Sequence, residues 1–331
     1  MIPKKVQITR IIPPIAKTML TNAGLEVVEW QGDGPMTQQE LIVRAQQVNA
    51  LLSLGADKLD KHFFSQCPHL DIVAQFAVGY DNIDVKAATE AGIPVSNTPD
   101  VLSEATADVA FGLMLAVSRK MFYNHKTIIR GEWKQFEPLK NLGFQLSGKT
   151  LGIFGMGRIG MVLAKRCKGA FDMDIIYHNR SRNPEAERLY SAKYVSFKEL
   201  IRESDVLSVH SILSDETRGL FNIEVFRQMK PSSVFINTSR GGVHNEADLI
   251  EALNQGLIWG AGLDVTNPEP MKPDNTLLEM PNVAVLPHIG SATVEARNGM
   301  ARIAAENIIS FYQSGEVPTC INKQVLEHRK L

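Results

Sequence analysis

Gly155, Gly157 and Gly160 form a GxGxxG string, Gly155-Met156-Gly157-Arg158-Ile159-Gly160, set between an apolar run, Thr150 to Phe154, and a helical stretch, Met161 to Cys167. That strand, turn and helix context makes a common spacing into a cradle for a pyrophosphate. The first glycine permits the tight turn and the second lets the backbone approach the anion. The third lets helix pack on strand, and the helix N-terminus supplies amide donors. Nineteen residues after Gly160, where an NAD-binding fold places an acidic residue for the ribose hydroxyls, stand Asn179, Arg180, Ser181 and Arg182. With no carboxylate and two guanidinium groups, this segment predicts the 2′-phosphate of NADP(H) as ligand, with NAD the alternative. The competing structural reading is a solvated loop pair.

In open α/β sheets ligands lie beyond the carboxyl ends of the strands, so the polar residues that follow each apolar run come next. They are His210, then Thr238, Ser239 and Arg240, then Asp264, then His288. A cation to hold a carboxylate, an acid to protonate a carbonyl oxygen as hydride arrives, and an acidic partner to orient it match reduction of a 2-oxo acid. Composition does not choose among the eight histidines. A lone His210 or His244 near a strand end is more often a hydrogen-bonded packing residue than a catalyst. His62, His69, His125 and His328 read as surface residues, and His178 as a flank of the cofactor. No HExxH, CxxC or clustered carboxylate motif is present, so no metal is expected.

These residues need a scaffold, and 331 residues with 44% hydrophobic content are enough for two domains with sizeable cores. Thirty-five Lys and Arg against 36 Asp and Glu, with no basic run, argue against nucleic acid as a partner. Prolines 3, 13 and 14 and interspersed charge break the first twenty residues where a signal peptide needs an apolar stretch, and no window of about 18 apolar residues follows. A cytoplasmic protein without membrane spans is expected. The three cysteines, Cys67, Cys167 and Cys320, are far apart and predict buried, inert thiols.

Short Val- and Ile-rich runs alternate with helical periods throughout, which predicts an α/β protein with parallel sheets. Strands are expected at 6–12, 25–30, 50–54, 70–78 and 94–97, then at 150–154, 174–177, 205–210, 233–237, 260–264 and 283–286. Ser196 with Glu199 forms a capping box, and Asn245 with Asp248 caps a helix that Gly256 stops. A long Ala-rich helix, 103–120, and a final helix, 292–312, complete the pattern. Phe111, Met114 and Phe122 on the long helix read as core or interface. Together with the Trp133 segment they predict a homodimer. The order of elements places boundaries near Pro99 and Pro287 and leaves open where the final helix packs.

Six strings carry a resemblance: AVGYDNID (77–84), NTPDVLSEATAD (97–108), GMGRIG (155–160), FINTSRGG (235–242), GAGLDVTNPEP (260–270) and LPHIGSAT (286–293). The chain resembles the D-isomer-specific 2-hydroxyacid dehydrogenases over nearly its whole length, nearest the glyoxylate/hydroxypyruvate reductase branch that includes bacterial 2-ketogluconate reductases. The resemblance implies two doubly wound parallel-sheet domains. A Rossmann cofactor domain (100–289) would be inserted in a flavodoxin-like substrate domain (1–99 and 290–331).

The same match implies that Arg240 binds the substrate carboxylate and carbonyl, that Glu269 pairs with a histidine, and that His288 is the proton donor. It further implies that the backbone of Val78 and Gly79 holds the carboxylate, that Leu54 and Ser291 border the pocket, and that Thr106, Asp264 and Gly290 lie toward the nicotinamide. Glu269 escapes the strand-end reading because it sits in a Pro-rich loop. Ile212 stands where many members have Pro after the His210 strand, and Asn179 where many NAD-dependent members have Asp. The chain ends at Leu331 without the regulatory extension of many phosphoglycerate dehydrogenases, which counts against that assignment. The expected activity is NADPH-dependent reduction of glyoxylate or hydroxypyruvate to the D-2-hydroxy acid. A 2-ketogluconate reductase is the enzyme alternative, and a nucleotide-sensing binding protein akin to co-repressors that resemble this family is the alternative of another class.

Overall fold

In a computed structural model, residues 3–327 are described; His328 lies outside them. The chain divides into two compact units. One comprises the residues through Leu102 with those from Ala292 onward, the other Ser103–Ser291.

The first unit holds a parallel five-stranded sheet: β1 (Lys5–Ile8), β2 (Glu26–Glu29), β3 (Ala50–Ser53), β4 (Ile72–Gln75) and β5 (Val95–Ser96), in the order β2-β1-β3-β4-β5. Every residue of β3 and β4 is buried, as expected of strands covered on both faces. The order is the flavodoxin-like doubly wound one. Asp60 and Asp84 each accept a bond from the backbone of the helix they open, worth about 1 kcal/mol apiece. The long C-terminal helix, Val294–Ser314, starts at a Thr293 cap, stops at Gly315, and packs on helix Ile15–Asn22 and on β3 and β4. Placement of this helix in the first unit is the point that element order left open.

The second unit holds seven parallel strands: β6 (Thr150–Phe154), β7 (Asp174–His178), β8 (Lys193–Tyr194), β9 (Val206–Val209), β10 (Val234–Asn237), β11 (Gly260–Leu263) and β12 (Val283–Val285). Their order, β12-β11-β10-β9-β6-β7-β8, is that of a Rossmann sheet, and it reverses direction between β6 and β9. Both sheets agree with the α/β expectation. The caps at Ser196 and Asn245 form as expected, the first with Glu199 closing the box.

Two details of the second unit differ from expectation. β8 is two exposed residues with no apolar run to announce it. The long helix covers only Ser103–Ser118; Lys120 turns left-handed (φ 51°) and a separate helix, Met121–Ile129, follows. Phe122 therefore lies off the long helix. Met114 is fully buried and Phe111 stacks on Phe171 at 5.3 Å, so both serve the unit's own core. The exposed apolar surface lies further on, where Trp133, Phe136 and Leu139 are 67%, 85% and 85% exposed.

All three cysteines are buried and unbonded to one another. Burial pushes the Cys67 thiol up to about 11 and that of Cys167 to about 12. Among the described residues no helix is long and apolar enough to cross a membrane.

Candidate active site

The carboxyl ends of β10, β11 and β12 gather the polar residues of the second unit. Asn237, the last residue of β10, organises the loop after it. Its Oδ1 accepts from the Ser239 backbone and hydroxyl at 2.9 and 2.8 Å, and its amide donates to the Arg240 carbonyl at 2.9 Å and to His244 Nδ1 at 3.0 Å. Arg240 Nη1 in turn donates to the Ser239 carbonyl. The next residue must be glycine: a Cβ on Gly241 would fall 1.9 Å from the Thr266 carbonyl oxygen. This close approach brings the Arg240 loop against the Asn267–Pro270 loop that carries Glu269.

Glu269 Oε1 lies 2.6 Å from His288 Nδ1, and its other oxygen faces the Thr266 amide at 3.4 Å. Nineteen residues separate the pair in the chain; adjacency of β11 and β12 brings them together. Burial alone pushes the Glu269 carboxyl up. The His288 hydrogen bond and charge, the Thr266 amide and the Arg240 guanidinium outweigh it and hold the group below the ordinary carboxylate range. With Nδ1 committed to the carboxylate, Nε2 of His288 is the nitrogen left for chemistry.

Asp264 shapes the turn that presents this histidine. Its backbone carbonyl accepts from His288 N at 2.9 Å, and its two carboxylate oxygens accept from the amides of Ile289 and Gly290 at 2.8 and 2.7 Å. His288 itself holds a left-handed φ of 55°. Burial raises the Asp264 carboxyl, and the two amides oppose that. Thr106 donates to the Gly290 carbonyl at 3.1 Å from the other side. The protein partners of Asp264 and Thr106, expected near a nicotinamide, are thus the backbone of the 288–290 turn; Ser291 follows it, half-buried.

His210 places Nε2 2.8 Å from Ser208 Oγ and Nδ1 3.4 Å from Thr238 Oγ1, and desolvation pushes its imidazole down to about 4. His244 is likewise pushed to about 4 by burial. Burial favours the neutral imidazole at both, and each is hydrogen-bonded to neighbours in the second unit. His62, His69 and His125 are exposed, as the sequence predicts, and His178 lies between Phe154 and Tyr194 with Nδ1 2.9 Å from the Val195 carbonyl.

The glycine string occupies the turn from β6 into helix Arg158–Phe171. Gly155 has φ 100°, and a Cβ there would meet the His210 backbone at 2.8 Å; a Cβ on Gly160 would meet the Gly155 carbonyl at 2.8 Å. At Gly157 a Cβ would touch no protein atom within 4 Å, and no side chain caps the helix. The first-turn amides, Arg158 and Ile159 among them, therefore have no capping side chain among the described residues and remain donors for an anion. These residues fit the pyrophosphate of a dinucleotide.

The segment after β7 departs from expectation. Asn179 spends its amide on the string itself, accepting from the Met156 amide at 2.6 Å. Arg182 is bound by both oxygens of Glu187 at 2.9 and 2.6 Å, and Glu187 also accepts from the buried Tyr177 hydroxyl. Only Arg180, beside exposed Ser181, keeps a guanidinium outside any ion pair with the described residues. A glutamate five residues on, across the Asn183 cap, is a partner that spacing rules for helices do not flag.

In the first unit, Leu54 and Phe76 follow neighbouring strands. Asn82 donates to the Leu54 and Asp57 carbonyls and accepts from Gln75, tying the two loops. Asn97 holds the Val78 carbonyl at 2.8 Å, while the Val78 and Gly79 amides donate to no described residue. That leaves two adjacent backbone donors at the carboxyl edge of the sheet.

Comparison with known proteins bears on these features. The family model for D-isomer specific 2-hydroxyacid dehydrogenase, NAD binding domain, matches residues 111–290. A glyoxylate reductase of Thermococcus litoralis is 47% identical over 326 residues, covering 97% of this chain and 98% of the relative. Among solved structures, a glyoxylate reductase from Paecilomyes thermophila aligns with a TM-score of 0.87 at 34% identity, over 98% and 100% of the two chains. An NADPH-dependent glyoxylate/hydroxypyruvate reductase from Sinorhizobium meliloti, in complex with NADP and malonate, aligns at 0.85 and 32%, over 99% of each.

Proposed function

Because the chain belongs to the D-isomer-specific 2-hydroxyacid dehydrogenase family, and is accordingly an NAD(P)-dependent oxidoreductase, we propose that it reduces glyoxylate or hydroxypyruvate to the D-2-hydroxy acid with NADPH. The observation that carries this reading is the His288–Glu269 pair at 2.6 Å beside the charge of Arg240. A bound nicotinamide supplies the hydride. Arg240 pairs with the substrate carboxylate and carbonyl oxygen, and His288 Nε2 delivers the proton to that oxygen. Glu269 holds the imidazole by Nδ1, and Asp264 fixes the turn that presents it. The Val78 and Gly79 amides and Leu54 are the first unit's candidates for substrate contact, and Ser291 is the second unit's. The second unit is the cofactor domain and the first the substrate domain. A steady-state screen of NADPH oxidation against glyoxylate, hydroxypyruvate, 2-ketogluconate and pyruvate tests this; turnover of none of them would refute it.

The guanidinium pairing makes the cofactor expectation specific. Arg180 is the main ligand for the 2′-phosphate, because Arg182 must first share its fork with Glu187. Arg180→Ala is expected to weaken NADPH about 10- to 100-fold, the worth of one charge-assisted hydrogen bond, and to leave NADH nearly unchanged. Arg182→Ala should cost less. Kd values for both cofactors decide it, and a wild-type preference for NADH would contradict the assignment.

The exposed Trp133, Phe136 and Leu139 are expected to be covered by a second copy of the chain in a homodimer. Light scattering should give twice the 36.6 kDa chain mass, and a monomer across a wide dilution range would contradict it.

A further inference from the structure

Arg297 lies in the first turn of the long C-terminal helix, with its guanidinium carbon 5.9 Å from the centroid of the Phe76 ring. The side chain is half-buried, and it makes no hydrogen bond or ion pair with any described residue. Burial pushes the group below the ordinary arginine range with nothing opposing it. Guanidinium groups withdrawn from water are as a rule paired, and an aromatic face returns only about 0.5–2 kcal/mol. Arg10, in the same unit, donates to the Thr9 carbonyl at 2.6 Å and lies 4.0 Å from Asp57, while its Nη2 is closed off from solvent without a hydrogen bond. None of the Arg297 nitrogens is closed off in that way. It is a cation partly stripped of water whose donors remain accessible.

Its position gives those donors a use. Phe76 directly follows β4 and stands two residues before Val78, whose amide, with that of Gly79, is a candidate for substrate contact on the reading above. We propose that Arg297 is a specificity-determining residue of the same reduction: its guanidinium donates to a hydroxyl oxygen on the substrate carbon next to the carbonyl, selecting 2-oxo acids that carry one. Glyoxylate has no such carbon, and pyruvate has the carbon without the oxygen. A site built to hydrogen-bond a hydroxyl disfavours the analogue lacking it, because its donors are then left unpaired.

The inference rests on the proposed reductase activity, so the test reads kcat/KM for hydroxypyruvate, pyruvate and glyoxylate in the wild type, Arg297→Met and Arg297→Lys. Wild type should favour hydroxypyruvate over pyruvate. Arg297→Met should lower kcat/KM for hydroxypyruvate about 10- to 100-fold, mainly through KM, with the other two substrates within about threefold. Arg297→Lys should fall between. Unchanged NADPH affinity by calorimetry marks a folded variant, and if Arg297→Met does not fold, the lysine variant and the wild-type ratio decide. Equal losses on all three substrates, an unaffected hydroxypyruvate reaction, or a wild type indifferent to the hydroxyl would overturn the role of Arg297. A wild type that turns over none of the three contradicts the reductase reading itself, which is a different result.

Discussion

Arg240→Lys is expected to lose about 2 to 4 kcal/mol in kcat/KM, roughly 30- to 1000-fold, while NADPH affinity changes little. Arginine presents a rigid planar fork that can meet a carboxylate and a developing oxyanion together, whereas a lysine ammonium is a single point donor on a flexible stem. The backbone favours the native arginine as well. Its loop is fixed by Asn237 and by the tight seat of Gly241 on Thr266, so a shorter, differently shaped cation cannot be carried forward by loop movement. The charge of Arg240 also helps hold Glu269 ionised, and lysine keeps that charge. The loss should therefore appear as a lower rate at every pH with little change in profile shape. An unchanged kcat/KM would remove Arg240 from the mechanism.

His288→Gln should be more damaging to kcat, about 10²- to 10⁴-fold, because glutamine can hydrogen-bond the carbonyl oxygen but cannot protonate it. Glu269→Gln should act differently. The Glu269 carboxylate, 2.6 Å from Nδ1, sets a negative charge beside the imidazole whose proton reduction consumes. Reduction needs that proton and oxidation of the hydroxy acid needs it absent. Removing the carboxylate should move the alkaline limb of kcat/KM for reduction to lower pH, and oxidation should retain more of its maximum at low pH. The measurement is made where hydride transfer limits the rate, and limbs coincident with wild type would show that Glu269 does not govern the histidine.

What the chain announced and what it concealed follow from range. β6 spans the expected 150–154 because an apolar run bounded by Lys149 and a glycine turn can be little else. The Ser196 box was legible because its partners are three residues apart. Arg240, Asp264 and His288 were legible from strand ends, since a parallel sheet sends every carboxyl end to one edge. Glu269 was hidden because its apposition to His288 depends on strand neighbours and not on spacing. A carboxylate between two prolines just beyond a strand end was the only local hint. The break at Lys120 carried neither glycine nor proline, and the engagement of Arg182 by Glu187 crosses a helix cap. The return of the last helix to the first unit is a matter of topology that no local pattern expresses.

The three thiols give the protein a built-in chemical clock. Thiolate is the species that reacts with iodoacetamide, and burial holds Cys67 and Cys167 well above the ordinary thiol range in addition to enclosing them. Labelling at neutral pH therefore proceeds only through opening of the surrounding structure, and mass spectrometry can count it one cysteine at a time. Cys67 and Cys320 report on the first unit and Cys167 on the second. Rates that coincide at all three sites mean that the two units open together. A lag at Cys167 means that the Rossmann unit outlasts its neighbour, and the size of the lag measures how far one can unravel while the other stays folded.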